Sequence, residues 1–186
     1  IVLPDAKDYK RIGNNDSGLN TGGMGTVSPV SFVTDNLREN IENDIIKPTI
    51  EGLINEGINY VGFIFFGLMN NNGIVKVVEY NARLGDPETQ SIMPRIKNDI
   101  LEIFYAVKGQ KLNEVKIEID EKSVVNIVLA SEGYPGNFEK NKAIRLPDCN
   151  KNQIVFQAGT KNDGEQLLTN GGRVLTACGM GDNLEE

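Results

Sequence analysis

Apolar residues recur at spacings of three and four over Leu37, Ile41, Ile45, Ile46, Ile50, Leu53 and Ile54, which predicts a helix with one apolar face. Thr34 stands where its first turn needs an N-cap, and Gly57 where it must stop. Pro48 lacks an N–H and crowds the preceding turn, so it is expected to kink or divide that helix. The period then changes. Tyr60–Met69 and Ile74–Tyr80 are β-rich runs joined by Asn70-Asn71-Asn72-Gly73, the signal of a hairpin. In the second run Val75, Val77 and Glu79 alternate with Lys76, Val78 and Tyr80, so Glu79 and Asn81 leave the same face. Period two also makes Phe63, Phe65 and Phe66 core residues of an apolar hairpin. A second helix is predicted over Asn98–Lys108, with Ile100, Leu101, Ile103, Phe104 and Val107 inward and Gly109 as its stop.

From Gln110 onward the pattern shortens into candidate strands at Val124–Ser131, Ala143–Leu146, Gln153–Ala158 and Arg173–Ala177. Gly133-Tyr134-Pro135-Gly136 and Asn170-Gly171-Gly172 are among the turns between them. Asp5–Ser31, rich in glycine, asparagine and serine, reads as a long loop whose length calls for function or disorder. The fold class expected is therefore α+β. Residues 1–112 would form an antiparallel sheet with helices, and 113–186 a small, mostly β domain.

Composition narrows the chemistry. The chain has 186 residues, 39% hydrophobic and 24% charged, the profile of a globular protein. It contains no histidine, which removes Ser-His-Asp and Cys-His catalysis and imidazole-bound zinc. A net charge of −7 argues against general binding to nucleic acid or anionic membrane, so an anionic substrate would need a few placed cations or a metal ion. No apolar run approaches a membrane span. Two cysteines without framework spacing fit reduced thiols in a cytoplasmic protein. Ile1-Val2-Leu3-Pro4 reads as a strand end entered in mid-course, so a fragment is expected.

The densest candidate chemistry lies in Glu79–Glu88. Glu79 and Asn81 offer two oxygen-bearing side chains on one strand face, which suits a hard cation such as magnesium, whose other positions go to water and phosphate oxygens. The Arg83 guanidinium matches a phosphate or acyl-phosphate oxygen pair. Asp86, before Pro87, sits in a turn where it could hold an amine. A polar strand end with a solvated turn explains the same residues, because Glu-x-Asn is short. Asn20-Thr21-Gly22-Gly23-Met24-Gly25 could turn backbone N–H groups toward an anion, but it is neither a Walker A loop nor a dinucleotide fingerprint, and a flexible turn is the simpler reading. Lys10 and Arg11 are natural cations for a phosphorylated substrate, with a surface pair as the alternative.

Taken together and in order, these segments resemble the phosphoribosylamine–glycine ligase family of the ATP-grasp superfamily. The stretches that carry the resemblance are Asp8-Tyr9-Lys10-Arg11, Asn20–Gly25 and Glu79–Gln90, then Gly133–Gly136, Ala158-Gly159-Thr160 and Thr169–Leu175. Tyr9 stands where a histidine is common, and Leu19 where a proline is.

The resemblance implies a ligase of purine synthesis that joins glycine to 5-phosphoribosylamine through glycyl phosphate, giving glycinamide ribonucleotide, ADP and phosphate. Carried over by position, Glu79 and Asn81 would bind magnesium or manganese, and Arg83 would neutralise the phosphoryl group in transfer. Asp86, Pro87, Glu88, Lys10, Arg11 and the Asn20–Gly25 loop (Asn20, Thr21, Gly22, Gly23, Met24, Gly25) would surround the acceptor substrates. Family members are much longer, so the amine-binding domain, the lid and most of the adenine pocket are expected outside this chain, as is a last helical segment. The chain alone is expected to be inactive. A monomer is the state favoured. Another ATP-grasp ligase and a noncatalytic assembly domain are the alternatives; Leu84–Glu88 argues against the first, and an intact Glu79–Asn81 pair against the second.

Overall fold

In the computed structural model, which describes residues 1–185, every strand pairing is antiparallel and the helices are few and short, so the class is α+β. Contacts divide the chain into two units. The first comprises Ile1–Pro29, Asp86–Asn98 and Ile117–Glu186, and the second Val30–Gly85 and Asp99–Lys116.

The first unit is built on a five-stranded sheet. Its strands are β1 (Lys7–Asp8), β4 (Gly25–Ser28), β7 (Ser123–Ala130), β9 (Gln153–Gln157) and β12 (Arg173–Gly181), in the order β1-β4-β7-β12-β9. A hairpin of β2 (Arg11–Gly13) and β3 (Ser17–Asn20) lies between β1 and β4 in the chain. A three-stranded sheet is formed by β8 (Ala143–Ile144), β10 (Thr160–Asn162) and β11 (Leu167–Thr169). The short helix α3 (Thr89–Ile92) belongs here too. Val124, Val128, Leu168, Val174, Leu175 and Cys178 are its buried apolar side chains. Asp5–Ser31 is thus not a loop: four strands lie in it, each too short and too polar to show a period.

The second unit holds α1 (Asp35–Ile41), α2 (Lys47–Asn55), the hairpin β5 (Phe65–Asn71) and β6 (Ile74–Asn81), and α4 (Ile100–Lys108). Thr34 caps α1, its hydroxyl accepting from Leu37 N–H at 3.2 Å. One π-helical segment, Glu42–Ile46, separates α1 from α2; Pro48 begins the next turn without an N–H to donate, so the expected division comes just before it. Gly57 ends α2 with φ +68°, and Ile58 N–H closes back on Leu53 O at 2.9 Å.

Several expectations are corrected. The first hairpin strand begins at Phe65, not Tyr60, and the turn tightens to Asn72-Gly73, both with positive φ. Phe63, Phe65 and Phe66 are half-buried: Phe63 meets Phe104 edge-on at 6.1 Å and Phe66 meets Tyr80 at 5.4 Å. On α4 only Ile103 is buried, whereas Leu101 and Phe104 are 57% and 44% exposed. Its C-terminal reversal falls on Gln110 (φ 54°), not on Gly109. The last strand runs on to Gly181, because β7 pairs with it as far as Gly181 while β9 pairs over Leu175–Gly179.

Candidate functional site

The candidate residues fall into two sets, one in each unit. Glu79, Asn81 and Arg83 belong to the second unit. Glu79 lies opposite Gly67 and Asn81 opposite Phe65, with a register shift between Gly67 and Leu68 that breaks the ladder before this strand end. A Cβ on Gly67 would sit 2.8 Å from Glu79 Cγ, so the glycine leaves the space across which the glutamate lies. Glu79 is exposed, and its carboxylate makes no hydrogen bond or ion pair among the described residues. Asn81 Oδ1 accepts only a long bond from Arg83 Nη2 at 3.4 Å, and Arg83 Nη1 donates to Leu84 O at 2.8 Å. Asn81 also lines a groove of ≈ 630 Å³ together with Tyr80, Thr49 and Leu53. An unengaged carboxylate and an amide oxygen two residues apart fit a hard divalent cation that keeps positions for other oxygens. Among the described residues no cluster of three or more His, Cys, Asp or Glu offers a complete protein cage.

The first unit holds Asn20, Thr21, Gly22, Gly23, Met24, Gly25, Lys10 and Arg11 together with Asp86-Pro87-Glu88, and Gly23 lies against Pro87. Thr21 N–H and hydroxyl both donate to Lys10 O at 2.8 Å, and Met24 N–H donates to Tyr9 O at 2.8 Å. Gly23 N–H donates to Thr21 Oγ1 at 3.0 Å, and Gly22 N–H to Tyr134 Oη at 3.1 Å. The N–H groups of residues 21–24 are thus engaged within the protein, which corrects the idea of an open backbone cradle for an anion. Gly23 is required where it stands: φ is +113°, and a Cβ there would overlap Pro87 and lie 2.7 Å from Asp8 Oδ1. Arg11 Nη1 donates to Gly18 O at 2.8 Å, so this cation braces the β2–β3 hairpin.

A buried polar knot holds the Asp86–Glu88 segment. Asn126, 1% exposed in the middle of apolar β7, has its Nδ2 2.6 Å from Thr26 Oγ1, 2.8 Å from Ser91 Oγ and 2.9 Å from Pro87 O. Its Oδ1 accepts from Thr26 N–H at 3.0 Å, and the Thr26 and Ser91 hydroxyls bond each other. Pro87 is fixed by its carbonyl. Asp86 is fixed by Arg173, whose Nη2 lies 2.8 Å from Asp86 Oδ2, and Gln90 Nε2 reaches Asp86 Oδ1 at 3.4 Å.

Two more carboxylates, Asp8 and the segment's own Glu88, are largely withdrawn from solvent. The Asp8 side chain is 9% exposed with Oδ2 2.6 Å from Lys10 Nζ; the contact is an ion pair without hydrogen-bond alignment, so neither oxygen receives a hydrogen bond. Gln90 Oε1 is likewise buried and unbonded. Glu88 is buried, and burial pushes its carboxyl above the ordinary value of 4.5, with the charges of Asp8 and Asp86 adding and its own backbone N–H and Lys10 opposing. A raised folded-state value means stability that is complete below the ordinary pKa and is lost as pH rises through the folded one. Glu88→Gln should therefore melt above the wild type at neutral and alkaline pH, with the gap closing below pH 4.5. Thermal melts across pH test this, and a gap independent of pH refutes it.

Asn126, Tyr134, Arg173 and Asp8 were absent from the site residues read from the sequence. For Asn126 a signal existed, an amide within the apolar run Val124–Leu129.

Residues 1–89 match the model of the phosphoribosylglycinamide synthetase ATP-grasp (A) domain, and residues 124–186 that of its C domain. The chain belongs to the phosphoribosylglycinamide synthetase family. It is 44% identical to a phosphoribosylamine–glycine ligase of Vibrio cholerae, over 100% of this chain and 44% of that protein. A ligase of the same name from Chlorobaculum tepidum is 43% identical over 97% of this chain and 43% of its own length. The crystal structure of phosphoribosylamine–glycine ligase from Thermotoga maritima superposes with a TM-score of 0.82 at 38% identity, over 99% of this chain and 45% of that one. The chain thus spans less than half the length of these relatives. Among the described residues no helix is long and apolar enough to cross a membrane.

Proposed function

We propose that this chain is the part of a cytoplasmic phosphoribosylamine–glycine ligase that carries its metal-side and acceptor-side residues. The observation that carries the reading is the end of β6, where a free carboxylate, an amide oxygen and a guanidinium occupy positions 79, 81 and 83 of a family member. In the proposed reaction the glycine carboxylate attacks the γ-phosphorus of ATP and the bond to ADP breaks. The amine of 5-phosphoribosylamine then attacks the acyl carbon, phosphate leaves, and the nitrogen loses a proton. Glu79 and Asn81 would hold magnesium or manganese, whose charge offsets that of the ATP phosphates. Arg83 retains unused N–H donors for the phosphoryl oxygens. Asp86 would face the substrate amine, while Lys10, Arg11, Glu88 and residues 20–25 with Pro87 would shape the acceptor side. Positioning and charge neutralisation then supply most of the catalysis.

The test is ADP release that depends on both glycine and phosphoribosylamine, measured on a polypeptide of the relatives' length containing this chain. Release without the amine, or with other amines only, overturns the assignment. The 186-residue chain by itself should release no ADP above background, and turnover at an enzymatic rate would show that the lid and adenine contacts are not needed from elsewhere. In the longer enzyme Arg83→Lys should lower kcat on the order of 10²-fold, because an ammonium cannot reproduce the planar fork. An unchanged kcat would leave Arg83 a surface residue.

A further inference from the structure

Arg173 opens β12, and the register of that strand shifts between Arg173 and Leu175. The side chain is 21% exposed and tied at four points: Nη1 lies 2.9 Å from Gly22 O, 3.1 Å from Asp86 O and 3.5 Å from Gly23 O, and Nη2 lies 2.8 Å from Asp86 Oδ2. The guanidinium rests on Gly22, where a Cβ would come within 2.9 Å of its Cζ. Gly22 is held from the other side as well, its N–H donating to Tyr134 Oη, and the Tyr134 ring packs on Gly172 so closely that a Cβ there would overlap it.

We propose that Arg173 is a positioning residue for the acceptor substrate, fixing the spacing of the Asn20–Gly25 loop against Asp86 and the direction in which the Asp86 carboxylate points. The inference rests on the function proposed above and extends it to a residue outside the Glu79–Glu88 stretch. The geometry requires arginine: one planar group spans two carbonyls of the glycine loop, a third carbonyl at Asp86 and a carboxylate oxygen, whereas a lysine ammonium has one nitrogen to place among them. With Asp86 Oδ2 occupied, Oδ1 is the oxygen left to an amine, contested only by the long Gln90 contact. Loss of the clamp releases both loops but leaves Glu79, Asn81 and Arg83 untouched, so the effect belongs to the acceptor and not to ATP.

The experiment is steady-state kinetics on the full-length enzyme with each substrate varied in turn, alongside thermal melts, for Arg173→Lys and Arg173→Gln. The expected result is a rise in KM for phosphoribosylamine of roughly tenfold or more, with KM for ATP within about twofold and a melting temperature near that of the wild type. Unchanged KM values overturn the proposal. So does a fall in melting temperature with all KM values rising together, which would make Arg173 a structural tie. Should neither variant fold, Tyr134→Phe removes the other hold on Gly22 and carries the test: an acceptor KM raised several-fold supports the clamp, and an unchanged one overturns it. A wild-type enzyme that forms no glycinamide ribonucleotide overturns the functional reading itself, whereas an active wild type with indifferent variants overturns the clamp alone.

Discussion

Glu79→Gln in the full-length enzyme is expected to lower kcat on the order of 10³-fold and to raise the magnesium concentration needed for half-maximal rate. The substitution keeps shape and hydrogen-bonding capacity but removes the one charge that would face the proposed cation. Glu79 is exposed and unpaired, so stability should scarcely change. Asn81→Asp should also impair turnover for the opposite reason, since a second carboxylate repels the phosphates that must approach the metal. Titrating magnesium at saturating ATP separates the two: the first variant is starved of metal affinity, the second holds the ion and loses rate. Wild-type rate and magnesium dependence in both would place the metal elsewhere.

Asn126→Ala should be the most destabilising single change outside the apolar core. It strips Thr26 N–H and Pro87 O of a buried partner at once and leaves a cavity between β4, Ser91 of α3 and Pro87. Each orphaned group costs about 1–3 kcal/mol, so a total of about 3 kcal/mol is expected, or roughly 9 °C in melting temperature for a chain of this size. Activity at permissive temperature should fall too, because the Pro87 carbonyl anchors the segment bearing Asp86 and Glu88. A shift below about 1 °C would show that water replaces the amide without loss.

These two residues mark what the sequence makes legible. Glu79 and Asn81 sit on a long alternating strand beside an Asn-Gly turn, where the local period alone predicts their shared face. The amphipathic helix from Thr34 is equally plain, down to its cap and its interruption before Pro48. Asn126 acts on Thr26 across 100 positions, and Arg173 on Gly22 across 151. No local pattern encodes such partners; only the sheet brings them together. The four strands in Asp5–Ser31 escaped for a related reason: runs of two to four residues with at most one large apolar side chain have no period to read, and β1 and β4 take their place from the pairing of β4 with β7. The exposed Leu101 and Phe104 show the converse limit: periodicity assigns a face but does not say what covers it.

The place of β4 in its sheet has a consequence for synthesis. Thr26 pairs with Asn126, so β1 and β4 leave the ribosome well before the strand that completes their sheet. At about 5–20 residues per second, that separation leaves β1 and β4 waiting some 5–20 s with unpaired edges and the Thr26 hydroxyl in water. Within residues 1–122 the sheet offers β4 only β1 as a partner. The nascent chain therefore passes through a window in which a holdase chaperone, or a strand from a neighbouring chain, competes for the edge that β7 will take.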